Sequence, residues 1–295
     1  MTQPSVLLTG AQGFTGKYME AALVGAGYRV HGWGGDVSVV GASRESVDLT
    51  DRQSVYAAID RLRPDLIVHL AAISFVAHGD AAAIYNVNVV GTRNLLEAVS
   101  RLDRLPQKIL LASSANVYGV RPGAIDENAP FKPQNDYAVS KVAMEYMARV
   151  WSDRLPIVTV RPFNYTGVGQ GENFLLPKIV GHFRRGEPVL ELGNIDVCRD
   201  FYDVRHVVSL YMGLLEKAEA GDVFNVCSGQ EISIREIIGF MERIAGRVIE
   251  VRTNPAFVRP NEVTHLRGDP SRIERLLGPL PDYSIRETLQ WMFET

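Results

Sequence analysis

Seven residues near the N-terminus constrain this chain more than any other stretch. Gly10-Ala-Gln-Gly13-Phe-Thr-Gly16 follows the apolar run 5–9 and opens residues 14–26, whose apolar spacing predicts a helix. Three glycines in a strand-to-helix turn let a ligand approach the backbone closely. The helix start adds free N–H groups and the positive end of the peptide dipole, so the expected guest is a phosphate. With 26 glycines in the chain, the spacing alone says little. Its place between strand and helix is what points to a dinucleotide pyrophosphate.

The segments that follow fit one architecture. Strand-like runs at 28–33, 65–70, 108–112 and 157–161 alternate with helix-like runs at 51–62, 81–100 and 137–153. The strands are short and rich in Val, Ile and Leu on both faces, as in a parallel sheet covered by helices. The prediction is an α/β fold. A doubly wound parallel Rossmann sheet occupies residues 1–163 and binds NAD(P); a smaller C-terminal α/β substrate-binding region occupies 164–295, with some of its segments free to return to the sheet. Residues 161–173, rich in Gly, Pro and Asn, are expected to form a long loop. Helices are expected at 175–185, 204–218, 234–245 and 285–292.

Bulk properties exclude several functions. A net charge of −3 and a pI near 6.1 offer no concentrated positive field for nucleic acid or a membrane surface. No apolar run approaches the ~20 residues needed to span a bilayer, and MTQPSVLLTG lacks the basic segment and long apolar core of a signal peptide. Cys198 and Cys227 lie far apart without metal-like neighbours, so no metal is expected and both read as buried free thiols. The cytoplasm is the expected compartment.

The cofactor choice stays open between NAD and NADP. A carboxylate ending the second strand would bond the adenosine ribose and select NAD. The segment there is Gly32-Trp-Gly-Gly-Asp36, with its acid late and no arginine beside it to grip a 2′-phosphate. Arg44 is near enough to come round from the next loop. Asp48 and Leu49 are placed either to flank the adenine or to serve as loop and helix cap. His69-Leu70-Ala71-Ala72 ends the next strand with small residues that let ribose and pyrophosphate pass.

Tyr137-Ala-Val-Ser-Lys141 puts a phenol and an ammonium one turn apart on a helix face. Free tyrosine has a pKa of about 10. At neutral pH it is therefore protonated, the form that gives a proton to oxygen as hydride reaches carbon. Lys141 stabilises the phenolate that develops and can also hold a ribose hydroxyl. Eleven tyrosines and six lysines make about 0.2 such pairs by chance, so context has to carry the assignment. Ser113 and Ser114 supply it, at the carboxyl edge of a strand where open α/β sheets bind ligands.

The pieces GAQGFTG, HLAA, Asn88-Val-Val-Gly-Thr92, SSANVYG and YAVSK, in this order and spacing, resemble the extended short-chain dehydrogenase/reductase family. The resemblance implies Ser114, Tyr137 and Lys141 as catalytic residues and a homodimer built from the helices around Asn88 and Tyr137. Its cofactor contacts would be Gly10, Gln12, Gly13, Phe14, Thr15, Gly16, Asp48, Leu49, Leu70, Ala71, Ala72, Tyr137 and Lys141. The runs 161–180, 192–204, 225–230 and 259–273 are similar to the nucleotide-sugar branch, within it the GDP-mannose-modifying enzymes. That likeness implies a nucleotide-diphosphate sugar substrate held by Asn164, Lys178, Arg199, Arg259 and Glu262. Arginine forks suit a diphosphate, and a glutamate suits ribose hydroxyls.

One departure separates the branches. Sugar 4,6-dehydratases carry an acid and base pair just after the active-site hydroxyl, where this chain has Ala115 and Asn116. Losing a positioned acid or base costs about 10²–10⁴-fold in rate. The implied activity is therefore reduction of the 4-keto group of a nucleotide-linked 4-keto-6-deoxy sugar. GDP-4-keto-6-deoxy-D-mannose to GDP-D-rhamnose is the expected case. A 4-epimerase would use the same three residues, and a non-catalytic dinucleotide-binding redox sensor would need none of them.

Overall fold

The computed structural model describes residues 3–34, 41–74, 79–257, 264–279 and 283–295. Its central sheet contains Ser5–Thr9 (β1), Arg29–Trp33 (β2), Ala42–Glu45 (β3), Leu66–His69 (β4) and Lys108–Ala112 (β5), together with Ile157–Pro162 and Val223–Val226. From one edge the order is Val223–Val226, Ile157–Pro162, β5, β4, β1, β2, β3, and every neighbouring pair is parallel. The helices are α1 (Phe14–Gly25), α2 (Arg52–Leu62), α3 (Ala81–Tyr85), α4 (Thr92–Val99), α5 (Asp136–Val150), α6 (Leu175–Arg185), α7 (Val204–Lys217), α8 (Ile234–Ala245), α9 (Ser271–Leu277) and α10 (Ile285–Glu294).

Alternation along each strand divides the apolar residues between two cores. Val6, Leu8, Val68, Leu110 and Val160 pack with Met19 and Leu23 of α1 and Val207, Tyr211 and Leu214 of α7. Leu7, Ile67, Ile109 and Leu111 face the other way, against Ile59 of α2, Leu95 and Val99 of α4, and Met144 and Ala148 of α5. A third core joins α6, α8 and α10 through Phe183, Ile237, Met241 and Leu289, with the parallel pair Val189–Leu192 and Glu250–Thr253. After residue 163 the chain thus serves both regions: α7, α9 and Val223–Val226 build onto the central sheet.

Three elements depart from the sequence expectation. β3 is a strand made of Ala-Ser-Arg-Glu, an edge too polar for its pattern to announce it. The expected helix over 81–100 is interrupted by a π-helical turn at Asn86–Gly91, which buries Asn88. The expected loop over 161–173 contains Asn164–Thr166, which pairs in parallel with Phe201–Asp203; a partner so far along the chain leaves no local periodicity.

Candidate active site

Strand order reverses between β1 and β4, and the site opens at the carboxyl ends of these strands and β5. Gly10 sits there at φ +70°, and a Cβ on it would lie 2.7 Å from the Ala71 nitrogen. A Cβ on Gly16 would run into the Gly10 carbonyl oxygen. Gly13 caps α1 without a side-chain bond, and no acid occupies the first turn. The helix start therefore keeps its N–H groups for an anion, and the Cβ-free cradle fits a dinucleotide pyrophosphate. The Gln12 side chain packs over Gly34, whose φ of +118° favours glycine. Phe14 stacks on Tyr165 with ring centroids 6.1 Å apart, and Thr15 Oγ1 bonds the Tyr165 hydroxyl at 2.7 Å.

A hydrogen-bonded chain braces the sheet beneath this turn. The Ala71 N–H donates to Thr9 Oγ1 (3.2 Å), and Thr9 and His69 Nδ1 are 2.7 Å apart. His69 Nε2 lies 2.9 Å from Thr92 Oγ1, which donates to the Asn88 carbonyl at 2.7 Å. Thr92 has thus committed its proton and must accept from Nε2–H, leaving Nδ1 to accept from Thr9. His69 is neutral: burial, helped by the Lys141 ammonium, pulls its pKa down to about 3. An unfolded histidine takes up a proton below about pH 6.5, which the folded one refuses. Stability is therefore expected to fall as pH drops from about 6.5 toward 3, by about 1.4 kcal/mol per unit from this group alone. Denaturant unfolding of wild type and His69→Gln at two acidic pH values checks this; the variant should lose less between them.

The end of β5 meets one face of α5 residue by residue. Ser114 stands by the Tyr137 phenol, where its hydroxyl favours the phenolate. The Ala112 carbonyl accepts from Lys141 Nζ at 2.8 Å. Ser113 Oγ donates to Glu145. Burial pushes Tyr137 up to about 12, against the Ser114 hydroxyl that lowers it, with Tyr165 adding a smaller upward push. Burial draws Lys141 down to about 8, and the Glu145 carboxylate opposes that fall. The Lys141 ammonium is 5.9 Å from the Tyr137 ring centroid. Ala115 and Asn116 start the short 3-10 turn after β5, whose Asn116 N–H donates to Ser114 Oγ at 3.2 Å.

The remaining predicted residues fall in different places. Asp48 accepts from the Thr50 N–H and hydroxyl at 2.8 Å each, an exposed turn before α2. Leu49 is buried in the core under α2 and α4. Leu70, Ala71 and Ala72 line the exit from β4 beside Gly10. Arg44 stands on a strand, not a loop, and its guanidinium is 3% exposed in an ion pair with buried Glu20. It also donates to the Gly34 and Ala11 carbonyls at 3.1 Å, so it braces the glycine turn from below. Asn164 and Arg199 lie on neighbouring segments; Asn164 Nδ2 donates to the Asp200 carbonyl at 3.4 Å and Arg199 Nη1 to the Cys198 carbonyl at 2.9 Å. Lys178, on α6, donates to the Glu191 carbonyl at 2.9 Å and faces the Phe257 ring at 4.4 Å. Asp36, Arg259 and Glu262 lie outside the described residues. Both cysteines are free, and Cys227 is buried, but Cys198 is partly exposed because it sits on a two-residue strand at the surface.

Sequence reasoning passed over three groups. Asn88 donates to the Ile73 carbonyl (3.1 Å) and Ser140 Oγ (3.0 Å) and accepts from the Ile73 N–H (2.9 Å), locking the loop after β4 to α5. Buried Asp200 accepts from Ser228 N and Oγ, Gly229 N and Gly268 N, tying together the C-terminal runs. Glu145 pairs with Arg161, both almost fully buried. Asn88 and Asp200 stood inside the runs that carry the resemblance with no role given to them, and Glu145 showed only its spacing of one further turn after Lys141.

A parallel sheet with a glycine cradle at its switch point and a Ser-Tyr-Lys set beside it defines an NAD(P)-dependent short-chain oxidoreductase. Residues 7–292 match the family model described as GDP-mannose 4,6 dehydratase, and the chain belongs to that family. It is 34% identical to the GDP-6-deoxy-D-talose 4-dehydrogenase of Aggregatibacter actinomycetemcomitans, over 98% of this chain and 97% of that one. It is 35% identical to the GDP-6-deoxy-D-mannose reductase of Pseudomonas aeruginosa, over 98% of this chain and 96% of that one. The structure of RMD from Pseudomonas aeruginosa complexed with NADPH superposes with a TM-score of 0.85 at 32% identity, covering 99% of this chain and 98% of that one.

Proposed function

We propose that this chain uses NADPH or NADH to reduce the 4-keto group of a nucleotide-linked 4-keto-6-deoxy sugar, GDP-4-keto-6-deoxy-D-mannose giving GDP-D-rhamnose being the expected case. The observation that carries it is a buried, protonated Tyr137 one helical turn before a buried Lys141, with Ala115 and Asn116 where elimination needs an acid and a base. Gly10, Gly13 and Gly16 would hold the pyrophosphate of a reduced dinucleotide, which when bound would supply the hydride for carbon 4. Ser114 orients the carbonyl oxygen, Tyr137 gives it a proton, and Lys141 stabilises the phenolate until solvent returns that proton. The two relatives, a 4-dehydrogenase and a reductase of GDP-6-deoxy sugars, support the substrate class.

Asn164, Lys178, Arg199, Arg259 and Glu262 are the residues proposed to hold the nucleotide and sugar. The proposed division is the sheet domain of residues 1–163, joined by the later segments that pack on it, and the substrate region made from the rest of 164–295. Val90, Val139, Tyr146 and Val150, exposed on the π-helical turn and α5, support a homodimer through these helices. No described helix is long and apolar enough to cross a membrane; the cytoplasm remains the proposed compartment.

Absorbance at 340 nm with GDP-4-keto-6-deoxy-D-mannose and NADPH or NADH tests the reaction. Stoichiometric loss of the reduced cofactor is expected. Conversion of a 4-hydroxy sugar with no net cofactor change would indicate an epimerase instead. Binding without any turnover would leave only a sensor.

A further inference from the structure

Glu145 follows Lys141 by four residues and Tyr137 by eight, so the three side chains leave one face of α5. All three are buried. Arg161, from the neighbouring strand, grips the Glu145 carboxylate through Nε at 2.9 Å and Nη2 at 2.7 Å. Its Nη1 donates to the Tyr118 hydroxyl (2.8 Å) and the Glu127 carbonyl (2.9 Å). Arg161 also lies over the Tyr118 and Phe131 rings.

Such a pair is a poor way to hold a helix on a sheet. Burying two charges costs several kcal/mol per ion, and well-packed apolar residues do the same task as well or better. What a buried carboxylate adds is a field. Lys141 donates to the Ala112 carbonyl and touches Met144 Sδ at 3.9 Å, neither of which carries a formal charge. The other titratable groups around it are neutral: Tyr137 on its own helix and His69 on β4. Glu145 is the carboxylate that opposes the effect of burial on Lys141.

We propose that Glu145 is a positioning residue: steered by Arg161 and Ser113, its carboxylate is the buried counter-charge that keeps Lys141 an ammonium beside Tyr137. The proposal rests on the reading that Tyr137 gives up a proton next to Lys141. It adds a fourth side chain, and behind it an arginine, that touch neither sugar nor cofactor.

The test is an NMR titration of the whole enzyme labelled with ¹³C at the lysine ε-carbons. The chain has six lysines, and the Lys141 signal is the one missing from Lys141→Arg. E145Q is expected to move the Lys141 midpoint toward acid by about one pH unit, about tenfold in proton affinity. The alkaline limb of kcat/KM should move with it, with KM for the sugar little changed. E145D, which keeps the charge, should return both toward wild type. Because E145Q strands Arg161 in the interior, E145Q with Arg161→Met removes both charges; it should fold and still shift Lys141 toward acid, by less. An unshifted Lys141 midpoint in either folded variant overturns the proposal. The titration needs no substrate, so a shifted midpoint in a protein that never reduces the keto sugar counts against the reduction alone.

Discussion

Tyr137→Phe is expected to lower kcat by about 10²–10⁴-fold, the usual worth of a positioned general acid, with a far smaller loss of NAD(P)H affinity, from the phenol contact alone, and thermal stability near wild type. The ring is 7% exposed and its packing is kept by phenylalanine. Only the phenol oxygen is lost, and with it the proton that reaches the sugar oxygen. Ser114 keeps its bond from the Asn116 N–H, so its hydroxyl is not stranded. Because burial pushes Tyr137 up to about 12, the wild-type phenol stays protonated through the whole neutral range. The rate of a reduction should therefore show no alkaline loss from this group below about pH 10. Steady-state turnover at 340 nm beside a fluorescence titration of the reduced cofactor separates chemistry from binding. Full turnover in the phenylalanine variant would remove Tyr137 as donor.

Arg161→Ala should be the most destabilising simple substitution in the sheet. It abandons the Glu145 carboxylate in the interior and takes a donor from the Tyr118 hydroxyl and the Glu127 carbonyl. Breaking one side of a buried pair costs about 3–5 kcal/mol. A chain of this size loses about 2–4 °C of melting temperature per kcal/mol, so a fall on the order of 10 °C is expected by calorimetry. Removing both charges together, as in the Arg161→Met and Glu145→Gln pair, should cost far less than the sum of the two single changes. A loss below about 1 kcal/mol for Arg161→Ala would mean that water reaches Glu145 and solvates it.

Much of the central sheet could be read from the chain because its signals are local. The glycine turn, the apolar strands and the 3.6-residue spacing of the covering helices all lie within short windows. The catalytic helix was legible for the same reason, since Tyr137 and Lys141 stand one helical turn apart. Features made by distant pairing were not legible. Arg44 looked like a loop residue because Ala-Ser-Arg-Glu is polar, and nothing near it announces Glu20 on α1 as its partner. Asn164–Thr166 looked like loop because its pairing strand is Phe201–Asp203. Glu145 showed its face but not its purpose, which only Arg161 on the adjacent strand reveals.

The strand Val223–Val226 has a consequence for the order in which the molecule comes into being. It covers Ile157–Pro162, whose first five residues are buried. A growing chain that has just completed Ile157–Pro162 holds six of the seven parallel strands and every catalytic side chain. It also presents a bare apolar margin to its surroundings until the last strand arrives, and such margins invite pairing with other chains. A shortened protein ending near residue 163 would therefore contain the chemistry yet lack the piece that keeps it to itself.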